Sequence, residues 1–93
     1  MKLQSDTTKD KLLTRLRRIE GQVRGVQNMV AEERDCREVL QQLAAIRSAV
    51  QGATLAVFEE YANDCLLTLE SHPSPGQREE MLQNLVELVG KAS

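Results

Sequence analysis

Aromatic side chains are nearly absent: Phe58 and Tyr61 are the only two, and there is no Trp. Any core must therefore be built from Leu, Val, Ile, Met and Ala, and rows of bases stacked on aromatic rings, a common hold on single-stranded nucleic acid, are excluded. No apolar run approaches the roughly 20 residues that cross a bilayer, and residues 1–6 (MKLQSD) lack the apolar stretch of a signal peptide, so a cytoplasmic protein without a membrane partner is expected. Histidine occurs once, at His72, which limits nitrogen-rich metal sites. Cysteine occurs twice, and in a reducing compartment two thiols point to a redox or metal device rather than a structural disulfide, with two inert buried thiols as the plain alternative.

What is present suits one small globular domain. Ninety-three residues of which 41% are hydrophobic and 28% charged are enough for one core and too few for two. The net charge of −2 hides a division: through Val30 there are seven basic residues against three acidic ones, a balance of +4, and the rest of the chain carries −6. A phosphate backbone responds to the local face and not to the total, so the distribution of those basic residues matters more than the sign of the sum.

From Lys9 to Val30 the apolar residues Leu12, Leu16, Ile19, Val23, Val26 and Val30 recur at alternating spacings of 4 and 3, which is a heptad seam on one helix. At about 100° per residue, Lys11, Arg15 and Arg18 fall in one arc of roughly 60° beside that seam, and Arg17 and Arg24 form a second line further round. Gly21 and Gly25 lie within the helix, where each costs roughly 1 kcal/mol against Ala, so a close approach to that backbone is expected. Residues 1–8 read as a loose tail.

Asp35 and Glu38 spell a capping box, so a second helix is predicted from Cys36. No Pro follows until Pro73 and the only Gly is Gly52, which gives one helix of about 35 residues, too long for a monomer of this size to bury. Its apolar line runs through Cys36, Leu40, Leu43, Val50, Val57, Phe58, Tyr61 and Cys65, with Ala44, Ala62 and Leu69 beside it. Residues 71–76 (SHPSPG) break the chain, Ser74 and Gln77 form a second capping box with Pro75 at the first helical position, and a third helix presents Met81, Leu82, Leu85, Leu88 and Val89 before Gly90 stops it. The fold class is all-α, one domain over residues 1–93.

Cys36 and Cys65 are 29 positions apart, which returns to within about 20° of the same helix direction but separates them by roughly 40 Å along an unbroken helix. A disulfide needs Cα atoms within about 7 Å, so an intrachain pair is excluded on that condition. Two antiparallel copies of the helix, crossing near Val50 and Gln51, would bring Cys36 of each beside Cys65 of the other. Cys36, facing the positive end of the helix dipole, is expected to be the nucleophile, although Asp35 beside it opposes ionisation; Cys65, among Leu66, Leu69 and Phe58, suits a resolving role.

Residues 15–25 (RLRRIEGQVRG), residues 35–45 (DCREVLQQLAA) and Cys65 near the end of the long helix resemble the CsoR/RcnR family of bacterial repressors over most of the chain. The resemblance implies a three-helix protomer with a long central helix, an antiparallel helical-bundle dimer that assembles to a homotetramer, and double-stranded operator DNA as partner. It implies DNA contacts from Arg15 and Arg18, with Lys11 and Arg17 beside them, and no enzymatic activity. At Gly52 some relatives carry a basic residue that assists DNA binding, so this chain is expected to lean more heavily on its first helix.

Departures from the family pattern bear on the inducer. Copper-sensing members have His four residues before the second Cys, where this chain has Tyr61, and a neutral phenol is a poor ligand for a soft cation. Nickel and cobalt sensors need several His. A Cys pair without the His resembles the CstR-like, persulfide-sensing branch, in which the sensor thiols Cys36 and Cys65 would be joined between subunits, with no cofactor. Tyr61 is then a packing residue over the thiol site, with a gatekeeping or hydrogen-bonding role as the lesser reading, and His72 is loop surface, while Glu59, Glu60 and Asp64 are a solvated face. The alternative is a Cu(I)-responsive repressor holding the metal between the same two thiolates. A formaldehyde-responsive member is the lesser alternative: such members use the first Cys with an N-terminal amine and usually lack the second, whereas here residue 2 is Lys2 and Cys65 is present. A copper-buffering protein that never meets DNA and a thiol enzyme are further classes, the latter without a legible general base or substrate pocket.

Overall fold

The computed structural model describes Leu3 and residues 6–92, and among these it contains three α-helices and no strand: α1 over Asp6–Ala31, α2 over Cys36–Glu70 and α3 over Pro75–Ala92. The chain forms two compact units, one from α1 with α2 through Thr54, the other from Leu55 onward with α3.

In the first unit α1 begins at Asp6, three residues before the expected Lys9, because Asp6 supplies the acidic side chain that a helix start favours. The rest of the predicted tail, apart from Leu3, lies outside the described residues. The expected seam of α1 divides in two. Leu12, Ile19 and Val26 are half-buried together with Thr8, Gln22 and Met29, at spacings that face α2. Leu16, Val23 and Val30 remain 45%, 40% and 60% exposed. On α2 the half-buried residues of this unit include Val39, Ile46, Ala49 and Gly52, with Ala53 buried. The line expected from the sequence, Leu40, Leu43 and Val50, is the one left in solvent. Periodicity detects an apolar face without saying what covers it, and here two faces are apolar.

The turn between α1 and α2 closes as a helix C-cap: Arg34 N–H donates to the Met29 carbonyl, Glu33 N–H to that of Val30, and Glu33 takes φ 56°, the left-handed region that favours glycine. Asp35 then caps α2, its Oδ1 accepting from Arg37 N–H at 2.8 Å. Glu38 does not complete the expected reciprocal box: its carboxylate accepts from Arg34 Nε at 2.9 Å instead, because that guanidinium lies one turn away on the same face.

In the second unit Cys65 is buried, Tyr61, Ala62 and Leu69 are half-buried, and α3 contributes half-buried Met81, Leu85 and Leu88. Leu82 and Val89, expected on that same face, are each 49% exposed. His72, at φ 56°, turns the chain out of α2. Ser74 and Gln77 form the full capping box, each backbone N–H donating to the other's side-chain oxygen. Gly90 does not end α3, which runs on to Ala92, since a glycine weakens a helix but stops it only by adopting a left-handed conformation, and no glycine here has a positive φ.

Candidate functional site

Two groups of residues carry chemistry, one on α1 and one along α2. On α1, Lys11, Arg15, Arg17 and Arg18 are exposed, and none has an acidic partner among the described residues. Arg24, on the second basic line, is held by the Glu20 carboxylate one turn earlier, which reduces the charge it can offer to an outside anion. The cations of α1 without an ion pair therefore lie in its N-terminal two-thirds.

Arg15 differs from its neighbours. At positions 12, 15, 19, 22, 26 and 29 it occupies the stripe of α1 that faces α2, between Leu12 and Ile19. Its Nη1 lies 3.2 Å from the point where a β-carbon on Gly52 would stand. The guanidinium therefore rests beside Gly52 of α2, while the side chain as a whole stays exposed. Gly21 and Gly25, expected to be closely approached, have nothing of this chain within 4 Å of their own β-carbon positions.

Both thiols belong to α2, 36–70, Cys36 in the first unit and Cys65 in the second. Their environments differ. Cys36 is exposed at the first turn, beside the capping Asp35. Cys65 is 7% exposed, in an apolar pocket lined by Ala62, Leu66 and Leu69 of α2 and Met81, Leu82 and Leu85 of α3. Burial, and then the Asp64 carboxylate, push the Cys65 thiol above its usual pKa of 9.0. Tyr61, one turn earlier, is half-buried, and its phenol is raised above 10.0 by burial first, then by Cys65 and Asp64. The sequence reading missed the cover that α3 puts over Cys65; the spacing of Met81, Leu85 and Leu88 was the signal, and what remained open was which stretch of α2 that stripe would meet. Glu59 and Asp64 are exposed as expected, whereas Glu60 is half-buried.

Among the described residues no group of three or more His, Cys, Asp or Glu could hold a metal ion. The described residues of one chain thus do not by themselves assemble a three-ligand metal site. No helix is long and apolar enough to cross a membrane among the described residues.

The family described as metal-sensitive transcriptional repressor matches residues 8–91. The copper-sensing transcriptional repressor CsoR of Bacillus subtilis (strain 168) is 44% identical over 62 residues, which are 67% of this chain and 61% of that one; the match spans about three-fifths of that relative's length. Among solved structures, the nickel-responsive transcriptional regulator InrS superposes with a TM-score of 0.82 at 34% identity, covering 100% of this chain and 98% of that one. A variant of the formaldehyde-responsive regulator FrmR from Salmonella enterica serovar Typhimurium gives 0.81 at 30% identity, covering 97% and 99%.

Proposed function

We propose, from the premise that the chain belongs to the CsoR/RcnR family of metal-sensitive transcriptional repressors, that it is a homo-oligomeric operator-binding repressor which senses reactive sulfur through Cys36 and Cys65. The family is not enzymatic, and transcriptional repression is the function its members share. What varies is the inducer: CsoR, InrS and FrmR respond to copper, nickel and formaldehyde.

The observation that carries the sulfur reading is the asymmetry of two thiols on one helix with Tyr61, not His, a turn before the second. An exposed Cys36 meets a low-molecular-weight persulfide first: its sulfur attacks the outer sulfur of RS–SH, forming Cys36–S–SH and releasing RS⁻ with the proton shared between products and water. Cys65 of the partner subunit, after losing its proton to water, attacks the Cys36 sulfur and expels HS⁻, leaving a disulfide; where a second RS–SH has first extended Cys36–S–SH to Cys36–S–S–SH with release of another RS⁻, attack on the middle sulfur expels HS⁻ and leaves a trisulfide. The sulfane sulfur of the persulfide is the oxidant, reduced to HS⁻ as the bridge closes, so no metal is required.

Assembly is supported by what the chain leaves uncovered. Ala53 and Cys65 are the only buried hydrophobic residues among those described, while Leu16, Val23, Val30, Leu40, Leu43 and Val50 are all at least 40% exposed. Apolar surface of that extent on two neighbouring helices is the mark of an interaction face. The repressor is proposed to be a dimer through these faces and a tetramer on DNA, contacting phosphates through Arg15 and Arg18 with Lys11 and Arg17. A bridge drawn between ends of paired helices would shift α1 against the duplex, and a hundredfold loss of affinity needs only about 2.7 kcal/mol of coupling.

Intact mass spectrometry under denaturing, non-reducing conditions, after glutathione persulfide and separately after glutathione disulfide, tests this reading. A covalent dimer bridged between Cys36 and Cys65, carrying extra sulfur only after persulfide, is expected. Monomer throughout removes sulfur sensing and leaves Cu(I) held by the same two thiolates as the alternative.

A further inference from the structure

The inner stripe of α1 holds an arginine where packing against a helix calls for an apolar residue, and α2 meets it with its smallest residues. Ala49, Gly52 and Ala53 lie on the face turned to α1, and the Arg15 guanidinium comes to 3.2 Å from the β-carbon position of Gly52. That separation is closer than an ordinary van der Waals contact, so any side chain at position 52 displaces the head of Arg15. A glycine in the interior of a 35-residue helix also weakens that helix, so its presence is not explained by α2 itself. Gly21, Gly25, Gly76 and Gly90 have nothing within 4 Å of their β-carbon positions, which sets Gly52 apart from the other glycines.

We propose that Gly52 is a positioning residue for DNA binding: its missing side chain forms the slot in which the Arg15 guanidinium rests against α2, and this fixes the direction in which the charge is offered to a phosphate. The inference rests on the operator-binding reading and adds a residue to it that bears no charge and does not touch DNA. An arginine held in place loses less side-chain freedom on binding than one free on the surface, so the slot raises affinity without adding a further phosphate. Lys11, Arg17 and Arg18, which have no such slot, would bind as mobile charges.

Four variants separate this from a merely structural glycine: Gly52→Ala, Gly52→Leu, Arg15→Ala and the double Arg15→Ala/Gly52→Leu. Binding to a fluorescein-labelled duplex of the DNA immediately upstream of the chain's own coding sequence is followed across a salt series. The Ala variant, which moves the guanidinium by a few tenths of an ångström, is expected to bind slightly more weakly than wild type. The Leu variant is expected to bind about tenfold more weakly, and its log K against log salt slope to fall as far as that of Arg15→Ala, by about 0.9 for each phosphate that is no longer neutralised. The double variant should be no weaker than Arg15→Ala alone. The proposal is overturned if Gly52→Leu binds like wild type, or if its effect adds fully to that of Arg15→Ala.

The Arg15 Nε–H resonance, read by ¹H–¹⁵N NMR without DNA, keeps the two readings apart. A wild-type signal resolved from the other arginines and merged with them in Gly52→Leu supports the slot, whereas an unchanged signal overturns it. A resolved signal with Arg15→Ala binding DNA like wild type would instead remove α1 from the DNA interface and leave the packing intact.

Discussion

Tyr61 and Cys65 share one turn of α2, and after burial it is the Cys65 sulfur that most strongly holds the phenol above its ordinary pKa of 10.0. The phenol therefore stays protonated throughout the physiological range and offers a neighbouring cation no anionic oxygen. Replacing it by imidazole, Tyr61→His, places a soft-metal donor one turn from the thiol. Cu(I) affinity, measured by competition with a chromophoric chelator, is expected to rise by about tenfold or more, each factor of ten being about 1.4 kcal/mol. An unchanged affinity would show that position 61 does not reach a metal held by the thiols.

The two cysteines should be alkylated at very different rates. In the native, reduced chain iodoacetamide is expected to modify exposed Cys36 at least about ten times faster than Cys65, which is 7% exposed, and the two rates should converge in urea. Because burial and Asp64 raise the Cys65 thiol, its rate should keep climbing as pH passes 9.0. The sign for stability is the reverse: the protonated thiol suits the apolar pocket, so its contribution is complete below pH 9.0 and is lost as pH rises through the raised value. Melting temperature should fall over that alkaline window, and less so in Cys65→Ala.

Cys36→Ser and Cys65→Ser should each abolish the persulfide-induced covalent dimer while leaving affinity of the reduced protein for duplex DNA within about twofold of wild type, since neither thiol lies on α1. Non-reducing electrophoresis reads the first effect and fluorescence anisotropy the second. A covalent dimer that persists in Cys65→Ser would mean that two copies of Cys36 react with one another.

Glu33→Gly should stabilise the chain. Glu33 holds a left-handed backbone, φ 56°, at the C-cap of α1, a conformation costing an L side chain roughly 1 kcal/mol and glycine almost nothing. Some of that gain is offset by the greater freedom of glycine in the unfolded chain, so a net rise of about 0.5 kcal/mol in thermal or urea denaturation is expected.

Ser74→Ala acts in the opposite direction. It removes the hydroxyl that accepts from Gln77 N–H at the start of α3, and loss of such a cap costs about 1 kcal/mol. If α3 is the cover of Cys65, loosening its first turn should also speed Cys65 alkylation while leaving that of Cys36 unchanged.

Three helices were legible from the sequence because breakers and caps stand where the chain turns: Asp35 before α2, and Ser74, Pro75 and Gln77 at α3. The missed boundaries have physical causes. Asp6 starts α1 before the apolar repeat begins, and Gly90 weakens α3 without taking the left-handed conformation that would end it. Apolar faces were found but not their partners. Leu40, Leu43 and Val50 make an obvious line, yet α1 packs over the less conspicuous Val39, Ile46, Ala49 and Ala53, since small residues permit closer helix approach. The basic residues of α1 and both cysteines were named from the sequence, as was the contrast between Cys36 at a helix start and Cys65 among apolar residues; the approach of Arg15 to Gly52 and the cover that α3 puts over Cys65 were not. Whether a side chain is covered depends on another element, and sequence spacing describes one helix at a time.

The scarcity of covered side chains has a consequence for dosage. With Ala53 and Cys65 the only buried hydrophobic residues among those described, a lone chain has little to hold it folded, and in the proposed assembly a second copy would supply the missing core. Folding and association then form one equilibrium: the melting temperature climbs with protein concentration, and newly made chains are exposed to proteolysis until they meet a partner. The active species would grow more steeply than in proportion to synthesis. A cell making half as much of this chain would lose more than half of its repressor.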